Sequence, residues 1–93
     1  MIRSFSDPEA RTIFDGRRST RLPQDIQSRA HRKLLLLDFA EVLDDLRSPP
    51  GNRLEPLQGD RAGQHSIRIN DQYRLCFVWT DDGPEDVEIV DYH

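Results

Sequence analysis

The feature that most constrains this chain is a change of hydrophobic period across Ser48-Pro49-Pro50-Gly51-Asn52. Before that segment apolar residues recur at helical spacing, and after it they alternate. Two prolines, a glycine and an asparagine in a row stop any element that reaches them. With 93 residues there is room for one modest core, and neither half can bury a core alone. The halves must pack on each other. The break therefore separates kinds of element, and residues 1–93 are expected to form one domain.

In the first half, Met1 to Phe5 reads as a short strand anchored by Ile2 and Phe5. Ser6-Asp7-Pro8-Glu9 reads as a helix start: Ser6 or Asp7 caps, Pro8 suits the first turn, and Glu9 closes a capping box on Ser6. Ala10, Ile13 and Phe14 then share a face, and Gly16 suits a left-handed helix end. The basic run Arg17-Arg18-Ser19-Thr20-Arg21 has no periodicity and reads as a solvated loop, with a phosphate or acidic-partner contact as the alternative. Pro23 opens a longer helix to about Ala40, with Ile26, Ala30, Leu34 and Leu37 as its buried stripe. Leu35 and Leu36 widen the stripe, predicting contact with both the sheet and the first helix. His31 is expected on the surface. A further helical turn carries Val42, Leu43 and Leu46.

In the second half, Leu54 to Leu57 is a short strand whose Pro56 places it at an edge or a bulge. Gln64 to Asn70 alternates, with His65, Ile67 and Ile69 on one face and Ser66 and Arg68 on the other. Asn70-Asp71 favours a tight hairpin turn. The next strand, Tyr73 to Thr80, puts Tyr73, Leu75, Phe77 and Trp79 toward the helical stripe and leaves Arg74, Cys76 and Val78 on an open face. Val87 to Tyr92 forms the last strand. The order predicts an α+β fold: an N-terminal strand and helices packed on one face of a mainly antiparallel sheet.

Charge and cysteine content narrow the function. The net charge of −4 argues against a simple nucleic-acid binder. The surplus is local, however, because residues 81–93 carry six acids and no base, so a basic patch elsewhere is possible. All cations but Lys33 are arginines, whose planar fork suits phosphate. The longest apolar run, Leu34 to Leu37, is too short to span a membrane. The start lacks the apolar stretch of a secretory signal. Cys76 is the single cysteine, so no internal disulfide and no structural zinc site are expected. A cytoplasmic protein without cofactor or metal is the expectation.

No Gly-rich phosphate loop, paired-histidine metal motif or nucleophile elbow is present. What remains is a polar set on the expected open face. Arg68 and Arg74 flank the hairpin turn and can lie side by side. Two guanidinium groups that close repel unless an anion or carboxylate sits between them, so either a phosphate site or two arginines paired with acids is consistent. Arg61 precedes them in a loop. Asp91-Tyr92-His93 adds a carboxylate, an aromatic face able to stack a base, and an imidazole able to exchange protons near neutral pH.

Three stretches together resemble the HigB toxins of the RelE/ParE superfamily, and the GraT branch in particular. They are Asn52-Arg53-Leu54-Glu55-Pro56-Leu57-Gln58-Gly59-Asp60-Arg61-Ala62-Gly63, Ser66-Ile67-Arg68-Ile69-Asn70-Asp71-Gln72-Tyr73-Arg74, and Asp91-Tyr92-His93. Met1-Ile2-Arg3-Ser4-Phe5 also fits. The resemblance implies a metal-independent mRNA endoribonuclease acting on the translating ribosome, partnered by a helix-turn-helix, HigA-like antitoxin. Operator DNA would be met only through that antitoxin. It implies that Arg74 stabilises the phosphate, Tyr92 positions or stacks RNA, His93 moves a proton, and Asp91 orients the terminal segment. Arg61, Arg68 and Gln58 would contact RNA. Ribonucleolytic members can carry a histidine where this chain has Glu55 and a lysine where it has Gln58. Glu55 is then the candidate base, and weak turnover is expected. The alternative is a non-catalytic toxin that blocks a ribosomal or gyrase-type target.

Overall fold

The computed structural model describes residues 1–92. Helix α1 spans Pro8–Phe14 and helix α2 spans Gln24–Phe39. Strands β1 (Glu55–Pro56), β2 (His65–Arg68), β3 (Tyr73–Thr80) and β4 (Gly83–Asp91) form one antiparallel sheet in sequence order. Both helices lie on one face of it. The α+β expectation holds, with β1 and its Pro56 at the edge, where a missing N–H costs no ladder bond.

The helices form where the local chemistry predicts. The Asp7 carboxylate accepts from the Glu9 N–H at 2.9 Å and caps α1, and Pro8 occupies its first turn. The other Asp7 oxygen accepts from the Ile89 N–H at 3.1 Å, which pins the helix start to β4. Glu9 does not close a box on Ser6. It turns instead to the buried Ser19 hydroxyl, ordering the basic loop. Gly16 takes φ +81° and ends the helix. In α2 the stripe Ile26, Ala30, Leu34 and Leu37 is buried, against Ile67, Leu75, Phe77 and Val87 of the sheet. At roughly 1.5–3 kcal/mol per large buried side chain, this seam is the main stabilising feature.

Several expectations are corrected. Residues 1–5 do not form a strand: Phe5 makes a single parallel bridge to Val87. The ladder stops because Asp86 has φ +53°, and the Ser4 and Ser6 hydroxyls take over its backbone groups. Leu35 and Leu36 do not widen the core. They are 46% and 39% exposed, because one helix face is already filled by the stripe. His31 is half-buried, and its Nδ1 lies 2.8 Å from the Ile13 carbonyl, linking the helices. The proline segment is not without structure: Pro50–Asn52 makes a 3₁₀ turn and Asn52 is fully buried. A second 3₁₀ turn, Leu43–Arg47, buries Leu46 and leaves Val42 outside.

The face carrying Arg74 is not open either. Ser66 and Cys76 are fully buried and Arg74 is 9% exposed. The connection from β1 to β2 folds back there through a 3₁₀ turn at Gly59–Arg61, and Arg61 reaches across to Glu88 of β4. Alternation reports which side chains share a face but not which loop returns over it.

Candidate functional site

The sheet register places Arg68 and Arg74 directly opposite each other on β2 and β3. Like charges so placed are unfavourable, and each guanidinium is drawn off by its own partners. Arg68 pairs with Asp71 in the hairpin turn. The Arg74 Nε donates to Ser66 Oγ at 2.7 Å, and Nη2 donates to the Arg53 carbonyl at 2.7 Å. Glu55 Oε1 lies 3.6 Å from the same Nη2. The Tyr92 ring stands over the guanidinium, with 5.5 Å from Cζ to the ring centroid, in cation–π range.

Local backbone chemistry sets each piece. Asn70 Oδ1 accepts from the Gln72 and Tyr73 N–H groups at 2.9 and 2.7 Å and fixes the turn between the arginines. The Gln72 carbonyl accepts from the Tyr92 N–H at 2.6 Å. Gln72 Nε2 donates to Asp91 Oδ2 at 3.1 Å. The end of β4 is thus bound to the turn, which delivers Tyr92 to Arg74. Arg53 adopts φ +46°, a left-handed conformation uncommon for a non-glycine residue, and so aims its carbonyl at Arg74.

Arg53, Arg68, Asn70, Asp71, Arg74 and Tyr92 line a cavity of about 260 Å³. Of the residues expected at a site, Arg68, Arg74 and Tyr92 line it, Glu55 lies beside Arg74, and Asp91 accepts from Gln72 in the adjoining turn. His93 lies outside the described residues. Arg61 and Gln58 do not line the cavity. The hydrogen bond to Glu88 raises the Arg61 pKa further and ties up its charge; Gln58 is exposed before the 3₁₀ turn. Burial pushes the Cys76 thiol pKa up, so Cys76 behind this face is a poor nucleophile.

Sequence reasoning passed over Arg53, Ser66 and Asn52. Arg53 had one available signal, its place directly after the Pro-Pro-Gly-Asn turn. Asn52 is buried, donating to the Leu46 and Ser48 carbonyls at 3.1 and 3.2 Å and accepting from Lys33 Nζ. It holds the loop that presents Arg53. Among the described residues no group of three or more His, Cys, Asp or Glu side chains converges to hold a metal ion, and no helix is long and apolar enough to cross a membrane.

Two helices against a four-stranded antiparallel meander make a RelE/ParE-like architecture. A YafQ variant from E. coli superimposes with a TM-score of 0.65 at 15% identity, over 98% of this chain and 91% of that one. A YoeB/ParE toxin from Agrobacterium tumefaciens superimposes with a TM-score of 0.51 at 18% identity, over 99% and 97%. Sequence narrows the class further. The family model for the RelE-like toxin of type II toxin-antitoxin system HigB matches residues 3–93. Toxin HigB-1 of Vibrio cholerae is 49% identical over 82 residues, 87% of this chain and 86% of that protein. Endoribonuclease HigB of Proteus vulgaris is 27% identical over the full length of both. The chain belongs to the HigB family of toxins, within the RelE/ParE superfamily.

Proposed function

We propose that this toxin is a ribosome-dependent endoribonuclease that cuts mRNA in the A site. The observation that supports it most is the Arg74 guanidinium, nearly buried and held by Ser66, Arg53 and Glu55 beneath the Tyr92 ring. A pre-oriented fork of this kind stabilises charge that develops on a phosphate without reorganising. Tyr92 offers its exposed ring to a base. The reaction is attack of the substrate's own 2′-hydroxyl on the adjacent phosphorus. The 2′ oxygen loses its proton and bonds to phosphorus, the bond to the 5′ oxygen breaks, and that oxygen takes up a proton. The products are a 2′,3′-cyclic phosphate and a 5′-hydroxyl end. Glu55 and His93 are the candidate base and acid, and Asp91 orients the terminal segment. Arg68 contacts RNA at the cavity wall, while Arg61, paired with Glu88, and Gln58 stand off the cavity and would meet RNA only outside it. No metal takes part in this scheme. With Glu55 and Gln58 in place of cations near a polyanion, turnover is slow.

A type II toxin has a cognate antitoxin. We assign the partner as a helix-turn-helix, HigA-like protein through which operator DNA is met, and place the toxin in the GraT branch on the pattern of residues 52–63, 66–74 and 91–93. One observation favours a second reading, a non-catalytic toxin that occupies a ribosomal or gyrase-type target. The Nε and Nη2 groups of Arg74 already have protein partners, as in a structural arginine. Transcript-end mapping in a reconstituted translation reaction separates the two. The nuclease reading expects new ends at the A-site codon only with ribosomes present, and about 100-fold slower cutting by Arg74→Lys, which keeps the charge and loses the fork. Translation arrest with no new ends refutes it.

A further inference from the structure

A second concentration of cations adjoins the Arg74 cavity. Between the outer face of α2 and the Pro49–Gly51 loop lies a groove of about 440 Å³, whose lining includes Arg29, Arg32, Lys33, Leu36, Gly51 and Arg68. Arg29 and Arg32 are exposed. Among the described residues, neither makes an ion pair with a carboxylate. Lys33 donates to the neutral Asn52 amide, and Arg68 alone has an acid, Asp71, at the far rim. Burial, then Arg29, Arg32 and Arg68, lower the Lys33 pKa, which shows that these charges feel one another. In a chain of net charge −4, gathering four cations on one groove is unfavourable unless an anion fills it. Arg68 lines both this groove and the Arg74 cavity, so the two adjoin.

We propose that this groove is a second anion site, holding the phosphodiester backbone of the RNA strand whose neighbouring linkage occupies the Arg74 cavity. The inference rests on reading that cavity as an RNA site. Three arginines present planar forks suited to phosphate oxygens, and four cations on one groove match the regularly spaced charge of a phosphodiester strand. The site would set how the strand enters and would carry much of the affinity, independently of base identity.

The test measures binding of a short, fluorescein-labelled 2′-O-methyl RNA, which has no free 2′-hydroxyl and is not cut. The double variant R29Q/R32Q removes two phosphate contacts from exposed helix positions, and thermal melting checks that it folds. At about 0.7 counterions per contact on a single strand, affinity falls about 25-fold at 0.1 M salt, and the slope of log K against log salt flattens by about 1.4. Leu36→Lys adds a cation to the wall and tightens binding. Unchanged RNA affinity in R29Q/R32Q, or a loss equal at all salt concentrations, overturns the proposal. So does unchanged RNA affinity with weakened capture by the operon's antitoxin, which would make the groove a protein surface. If the double variant binds as expected but the wild type produces no cuts on ribosomes, the groove stands and the nuclease reading alone falls.

Discussion

Replacing Asn52 with alanine perturbs the tie between the core and the cavity. The side chain is fully buried and satisfies three partners: the Leu46 and Ser48 carbonyls and the Lys33 ammonium. Alanine removes the donor from two carbonyls: the buried Leu46 one costs about 1.5 kcal/mol unpaired, and that of the exposed Ser48, which water reaches, about 0.5 kcal/mol. Lys33 is only half-buried and can turn to water, so its loss adds little. The small void left by the amide adds about another 1 kcal/mol. The sum, about 3 kcal/mol, is a large fraction of the roughly 5–10 kcal/mol expected for a domain of this size. It corresponds to a fall in Tm of about 15 °C. Urea unfolding followed by Trp79 fluorescence is the assay, with the midpoint falling and the slope unchanged. A loss below about 1 kcal/mol would show that the loop is held by something other than this amide. The same variant should slow RNA cleavage more than R29Q/R32Q does under saturating RNA, because the freed loop carries the Arg53 carbonyl that orients Arg74.

The remaining predictions use other parts of the fold. A Cβ on Gly83 would sit 2.2 Å from the Met1 carbonyl oxygen, and its φ is +126°, so Gly83→Ala should cost at least about 2 kcal/mol and loosen residues 1–5; a melting temperature equal to wild type refutes this. The buried Cys76 thiol keeps its proton in the folded state where the unfolded chain has lost it, so the unfolded state binds fewer protons above the ordinary thiol range near pH 9. Stability should therefore fall with rising pH there, and less steeply in Cys76→Ala when urea midpoints of the two are compared. For the same reason a thiol reagent should label Cys76 only after unfolding; rapid labelling of the native protein contradicts the burial. His31→Ala removes the ring that meets the Ile13 carbonyl at 2.8 Å, and should cost about 1 kcal/mol, read from the urea midpoint, without changing RNA affinity.

The local code reached far into this protein. Asp7 and Pro8 start the first helix, the stripe from Ile26 to Leu37 turns α2 onto the sheet, and the turn at Asn70-Asp71 puts Arg68 opposite Arg74. These follow from periods of 3.6 and 2 and from turn chemistry, which nearby residues set. Leu35 and Leu36 show where that code stops. Apolar character states that a side chain gains by burial, but the core volume decides how many are accepted, and a stripe already packed against Ile67 and Phe77 leaves none for them. The Arg74 face shows the same limit. Alternation put Ser66, Arg74 and Cys76 on one side, while the return of Arg61 to Glu88 decided that this side is covered. The roles of Arg53 and Asn52 escaped local reading for a related reason: a left-handed residue aiming its carbonyl at β3 and a buried amide tying α2 to the following turns act between segments that no local pattern spans. Sequence alone thus determined the two helices, the order of the antiparallel strands after them and the pairing of the two arginines. Tertiary packing decided which polar groups are spent on the fold and which face the cavity, because hydrogen-bond partners and space are allotted only when the whole chain closes.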